Sequence, residues 1–364
     1  MLLALPLAAD TLRVAGFNVS LGRDGPGLLA RDIARGDTQV QAVAQIIATL
    51  QPDILLLSDF DVDYDQIALR LFTDLLAQKG AVYPFSYAGM SNAGLATDLD
   101  LDGDGRTGGP GDAQGFGDFP GAQSMALLTR YPVVVDDVRD FSAMLWADVP
   151  GAALPFKDGK PFPSAAAQSV QRLSSKGHWD VPVRLPDGAV LHILASNPTP
   201  PVFDGPEDRN GLRNRDEIRF WSLYLNGDAL AGYPPRAAEA FVLMGDFNAD
   251  PMDGEGSHDA IAGLLSHPFV ADVGPKSRGA VLAAARQGGG NPGHRTDPAL
   301  DTVDWDEART GGNMRVDYVL PSADLKILDA GVFWPAPDQE GFELVGLDGA
   351  TGSHHRLVWI DIAR

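Results

Sequence analysis

Apolar residues recur along the chain in two rhythms. TLRVAGFNV (11–19), DILLLSDFD (53–61), AQSMALLTRYPV (122–133), AFVLMGDFN (240–248), RVDYVLPS (315–322) and RLVWIDI (356–362) are short aliphatic runs with the composition of buried strands. HWDVPVRLPDGAVLHILASN (178–197) reads as two more strands joined by a turn at Pro186–Asp187–Gly188. Three- and four-residue apolar spacing marks helices instead. It occurs in DTQVQAVAQIIATLQPD (37–53), where Asp37 is placed as a cap and Pro52 as a stop, and in YDQIALRLFTDLLAQKG (64–80), closed by Gly80. NRDEIRFWSLYLNG (214–227) and the DAIAGLL run also read as helical. Strands alternating with helices and hairpins predict two stacked sheets covered by helices.

The glycine-rich stretches 102–121 and 287–293 are expected to be long surface loops, a class often tied to function. No internal repeat or linker divides the chain, so residues 10–364 are read as one domain. The start, MLLALPLAAD, ends in small residues after an apolar stretch. Residues 1–9 are therefore read as the remnant of an export signal, with a strand lead-in as the alternative, and the protein is expected to be secreted or periplasmic. No run approaches the ~20 apolar residues needed to span a bilayer.

Charge narrows the partners. Twenty-eight basic residues against 49 acidic ones leave a net charge of −21. That field repels polyanions, so long nucleic acid is a poor partner and a small molecule a better one. The chain has no cysteine, which excludes disulfides, thiolate metal sites and a cysteine nucleophile.

Several strands end in carboxylates or carboxamides: Asn18, Asp59 with Asp61, Asp246 with Asn248, and Asp317. Residues two apart share one face of an extended segment, so Asp246 and Asn248 of GDFN address one ligand together. Oxygen donors gathered at strand ends make a hard-cation site able to neutralise phosphate charge. Each residue alone is as well explained by a turn or a cap. The set is not.

FNV, QPDILLLSD, LHILASN, GDFNADP, RVDYVLPS and SHHRLVW follow one another over nearly the whole chain. In that order they resemble the endonuclease/exonuclease/phosphatase superfamily, whose members include deoxyribonucleases, abasic-site endonucleases, sphingomyelinases and inositol phosphatases. The resemblance implies an α/β fold, a four-layer αββα sandwich of two mostly antiparallel sheets flanked by helices. It also implies divalent-metal-dependent hydrolysis of phosphate esters by direct water attack. Asn18 would then belong to the metal shell, Asp246 and Asn248 would orient water and phosphate, and Asp317 would pair with His355.

Three positions depart from the family pattern. Asp59 stands where the family has a glutamate ligand, His354 where it has an aspartate, and Asn197 where it has a histidine. With His354 as a ligand the shell softens toward Mn²⁺ or Zn²⁺ and away from Mg²⁺. Asp61 is a candidate helper for the short Asp59. Asn197 can donate a hydrogen bond but not a proton, and Lys176 and His178 in SSKGHWD are candidates to supply what it lacks; a hydrogen-bonded sheet histidine is an equal reading of His178. Arg209, Asn210, Arg213 and Arg215 are candidates to clamp a phosphate, or else exposed charges at a helix start. The departures also allow a member that binds a phosphorylated ligand without turnover. A nuclease is the other alternative.

Separately, DLDLDGDG (98–105) places Asp98, Asp100, Asp102 and Asp104 at alternate positions around Gly103, like the start of a calcium loop. Gly109 stands where the closing glutamate of an EF-hand belongs. A solvated acidic loop is the alternative to calcium.

Overall fold

A computed structural model describes residues 11–230, 232–233, 239–305, 311–346 and 352–364. The export-signal reading of residues 1–9 lies outside the described residues. In chain order the first half runs β1 (Thr11–Leu21), α1 (Leu28–Arg35), α2 (Thr38–Leu50), β2 (Ile54–Phe60), α3 (Ile67–Gln78), β3 (Phe85–Tyr87) and β4 (Ser124–Thr129). After β5 (Arg139–Asp140), the small hairpin of β6 (Phe156–Lys157) and β7 (Lys160–Pro161), and α4 (Ala165–Gln168), the chain enters β8 (His178–Arg184) and β9 (Val190–Ser196). Next come α5 (Arg209–Asn226), β10 (Phe241–Asp246), α6 (His258–Leu265) and α7 (Arg278–Gln287). β11 (Asp317–Pro321), β12 (Ile327–Val332), α8 (Phe342–Val345) and β13 (Val358–Ala363) complete the described elements.

One sheet has six strands in the order β12-β13-β1-β2-β4-β3, the other five in the order β11-β10-β9-β8-β5. Among the described strands of the two sheets, β1–β2 and β9–β10 pair in parallel and the other pairs antiparallel. Alternation along β10 shows the layering. Val242 and Met244 join the core shared with the six-stranded sheet, while Phe241 and Leu243 face α5 and α6, packing with Trp221 and Ile261. β2 is apolar on both faces because α2 and α3 cover the side away from the second sheet. The architecture is the expected α/β, αββα sandwich.

The Asp37 cap is in place, its carboxylate accepting from Val40 N at 3.1 Å. No described helix is long and apolar enough to cross a membrane. One loop differs from expectation. Residues 112–115 within 102–121 are not on the surface: Asp112, Ala113, Gln114 and Gly115 are buried, and bridges tie Ala113 to Ala96 and Gly115 to Ala93. Backbone groups so deep need partners, and the 92–96 segment provides them.

Candidate active site

The ends of strands from both sheets meet at one edge of the sandwich. Asp246 closes β10 and Asp317 opens β11, paired directly opposite each other. The glycine of GDFN is required by packing: a Cβ on Gly245 would lie 1.8 Å from the carbonyl oxygen of Ser196 in β9. From the six-stranded sheet come Asn18, Asp59 and His355. At Asp59 the pairing of β2 slips, Ser58 facing Met125 and Phe60 facing Ser124, and Asp59 takes φ 54°. Such a bulge re-aims a side chain at the cost of backbone strain, a combination typical of functional sites.

Donor atoms of Asp246, Asp317 and His355 all lie within 4.8 Å of one another, and all three residues are buried. His355 Nδ1 donates to Asp317 Oδ2 at 2.8 Å, and the edge of the ring meets Trp305 with centroids 5.8 Å apart. Burial pushes the His355 pKa down, but the carboxylates of Asp317 and Asp246 outweigh it and hold the ring at about 9. It is therefore a cation at neutral pH. Burial pushes Asp246 up to about 6, opposed by His355 and assisted by the like charge of Asp317. Asn18 Nδ2 donates to Asp246 Oδ2 at 2.9 Å, and Asn248 reaches the same carboxylate through its backbone N–H (2.9 Å) and its side chain (3.3 Å).

Asp59 Oδ1 is buried with no hydrogen-bond partner. Burial raises its pKa, against the pull of Lys176, His355 and Arg23. Lys176 is half-buried, and burial lowers its pKa against the attraction of Asp59 and Glu217. A buried carboxylate oxygen left unsatisfied is costly unless a cation completes it. Asp59 Oδ1 is thus the oxygen left open to a hard divalent metal, while Asn18 gives its amide nitrogen to Asp246 and its Oδ1 to Ser20 N.

Other expected residues are placed differently. His354 is exposed, its Nδ1 donating to the carbonyl of Asp304 at 3.0 Å, and it is not in the cluster. Adjacent residues leave the chain on opposite sides, so His355 turns inward and His354 outward. His178 is fully buried away from any substrate: its Nε2 donates to the carbonyl of Glu217 (2.9 Å), its Nδ1 accepts from Ser174 Oγ (2.6 Å), and it stacks on Trp221. Burial pushes its pKa down to about 4, so it is a neutral packing residue and not a proton donor. Asp61 cannot assist Asp59, because its oxygens are taken by the amides of Arg23 and Gln123. Asn197 spends its amide on the carbonyl of Asp246 at 2.9 Å, bracing the end of β10.

Arg209 donates to Gln171 and Asn210, and Asn210 is tied to Asp204 and Val202; none of these contacts involves the cluster. Arg213 is buried on carbonyls and Arg215 pairs with Asp216. In the acidic loop, Asp100 and Asp102 converge with Asp112, leaving out Asp98 and Asp104. Backbone amides of Gly103, Gly105, Leu101 and Gly109 already occupy the oxygens of Asp100 and Asp112, so turn geometry accounts for these two.

Two supports carried no signal in the sequence. Thr302 Oγ1 donates to Asp317 Oδ2 (2.9 Å) while accepting from Asp317 N, and Ser353 Oγ bridges the Asn18 carbonyl to His355 N. A cavity of about 230 Å³ lies beside Asp61, walled by Pro26, Leu29, Tyr64 and Phe119.

A profile of the Endonuclease/Exonuclease/phosphatase family matches residues 15–353. The chain belongs to this family. Among solved structures, the endonuclease/exonuclease/phosphatase from Beutenbergia cavernae is 17% identical with a TM-score of 0.54, over 97% of this chain and 71% of that one. A family protein from Leptotrichia buccalis is 16% identical with a TM-score of 0.52, over 97% and 100%. A sphingomyelinase C from Streptomyces griseocarneus is 14% identical with a TM-score of 0.44, over 98% and 100%. A search of curated proteins finds no significant match. Members of the family are mostly hydrolases of phosphate esters, nucleases among them.

Proposed function

We propose that this family member hydrolyses a phosphate ester of a small or medium-sized molecule, with a divalent metal and direct attack by water. The observation that carries the reading is the meeting of Asp246, Asp317 and His355 with Asn18, Asp59 and Lys176 at strand ends from both sheets. Asp59, with Asn18 at the edge of the shell, would hold the metal, which when bound acts as a Lewis acid and neutralises phosphate charge. With His354 outside, the donors are oxygens, which suits Mg²⁺ or Mn²⁺ better than Zn²⁺.

The chain's own groups divide the remaining work. Imidazolium His355, steadied by Asp317, presents a positive charge to the non-bridging phosphate oxygens, where negative charge builds in the transition state, and Lys176 offers a hydrogen-bond donor to the same oxygens. Asp246, with a pKa raised to about 6, stays mostly ionised at pH 7 and is basic enough to orient water and accept its proton. Asn248 fixes the rotamer of that carboxylate. The net charge of −21 supports a small substrate over long nucleic acid.

Chelator-stripped protein supplemented with Mg²⁺, Mn²⁺, Zn²⁺ or Ca²⁺ is assayed on bis(p-nitrophenyl) phosphate, p-nitrophenyl phosphate and plasmid DNA. Turnover of a small ester that chelator abolishes and Asp246→Asn removes supports the reading. Faster cleavage of plasmid than of either small ester assigns a nuclease instead. No turnover with any metal, together with binding of inorganic phosphate, assigns a ligand-binding role.

A further inference from the structure

Helix α5 buries Arg213, Asn214 and Glu217 on one face, at 2%, 0% and 0% exposure. Burying a carboxylate and a guanidinium is expensive unless each is fully hydrogen-bonded. Here the partners are backbone groups of the loops around the candidate site. Glu217 Oε1 accepts from Ser175 N (2.6 Å) and Ser175 Oγ (2.9 Å), and Oε2 accepts from Thr199 N (2.7 Å). Arg213 donates to the carbonyls of Leu173, Gln114, Arg172 and Ser174. Asn214 Nδ2 donates to the carbonyls of Thr199 (2.8 Å) and Phe247 (2.9 Å).

The segments held by Glu217 and Asn214 each border a site residue. Ser175 precedes Lys176, and the one proton of its Oγ is shared between Glu217 Oε1 and the carbonyl of Asn197, 3.0 Å away. Thr199 follows Pro198, whose carbonyl accepts from Asn248 Nδ2 at 3.0 Å, and Phe247 precedes Asn248. We propose that Glu217 is a positioning residue: a helix-borne latch, seconded by Asn214 and Arg213, that sets Lys176 beside Asp59, and Asn197 and Asn248 against Asp246. The catalytic consequence rests on the hydrolytic reading above.

Only a carboxylate meets three donors with two oxygens. Glutamine in its place keeps the oxygen on Ser175, where two donors wait, and turns its amide toward Thr199 N, so that donor faces donor. The Thr199 arm opens, and with it the hold on Pro198 and Asn248.

Glu217→Gln, Asn248→Ala and the double variant are compared in the full chain by kcat and KM on bis(p-nitrophenyl) phosphate with metal, and by ¹H–¹⁵N spectra without metal. Glu217→Gln is expected to lower kcat by ~10-fold or more with a smaller change in KM, as positioning effects do. In the Asn248→Ala background the same substitution should cost under about threefold, because the latch acts through Asn248. The Thr199 amide should move upfield and exchange at least ~10-fold faster. Losses that multiply independently across the two sites would overturn the positioning role and leave Glu217 a fold residue. An unmoved Thr199 amide overturns the latch whatever the activity. A wild type without turnover in which the Thr199 and Asn248 signals respond removes the hydrolytic reading and keeps the latch. Should Glu217→Gln fail to fold, Asn214→Ser tests the same hold on Thr199 and Phe247 in the same cycle.

Discussion

Asp317→Asn removes the charge that faces His355 and leaves a side chain of the same shape. In the intact protein Asp317 Oδ2 accepts from both His355 Nδ1 and Thr302 Oγ1. Burial alone would push the ring below its ordinary 6.5, yet the surrounding carboxylates, Asp317 foremost, bring it to about 9. At about 1.4 kcal/mol per unit, that rise is worth on the order of 3 kcal/mol of folding free energy. Because the folded pKa lies above the unfolded one, the contribution is complete below about pH 6.5 and is lost as pH climbs through about 9. Asp317→Asn in chelator should therefore cost about 2–3 kcal/mol by urea unfolding at pH 6 and under about 1 kcal/mol at pH 10. NMR titration of the His355 ring should show its pKa falling below 7. An equal loss at both pH values, or a ring that titrates unchanged in the variant, would refute the charge pairing. With metal and ester present, the same substitution should lower kcat by about 10²–10⁴.

Asp59→Asn removes a buried unpaired charge and suits a left-handed backbone, so metal-free protein should gain roughly 1 kcal/mol by thermal unfolding. The Tm increase that Mg²⁺ or Mn²⁺ gives the wild type should be lost; if the increase survives, Asp59 is not a ligand. His354→Ala should change stability by less than about 0.5 kcal/mol and leave metal affinity alone, because the ring is exposed and tied only to Asp304. A tenfold weaker metal constant by calorimetry would place it in the shell after all. His178→Ala should cost about 3 kcal/mol through lost stacking on Trp221 and two lost hydrogen bonds, with no new inflection in the pH–rate profile. A shifted inflection would make His178 a participant in proton transfer.

What the sequence determined by itself was the set of elements and their order. The alternation in AFVLMGDFN dictates that a buried strand ends on Asp246, and the cap at Asp37 dictates where α2 starts, because both depend on neighbours within a turn or two. The meeting of Asp246, Asp317 and His355 was legible for a related reason: each stands at a strand end or just before one, and stacking two sheets brings such ends together. Tertiary structure decided the rest. His354 and His355 lie ahead of β13 and face opposite ways, and the fold sends His354 outward to the Asp304 carbonyl, away from the ligand role that the family pattern implied. His178 read in the sequence as either a proton donor or a sheet histidine, and Glu217 gave no signal there. Their roles come from burial against Trp221 and from loops 18 to 42 residues away along the chain. Asp112 displaced Asp98 and Asp104 from the acidic cluster because its loop folds back under residues 92–96. A periodic pattern records which side of an element is buried, whereas a polar contact between distant loops leaves no period to read.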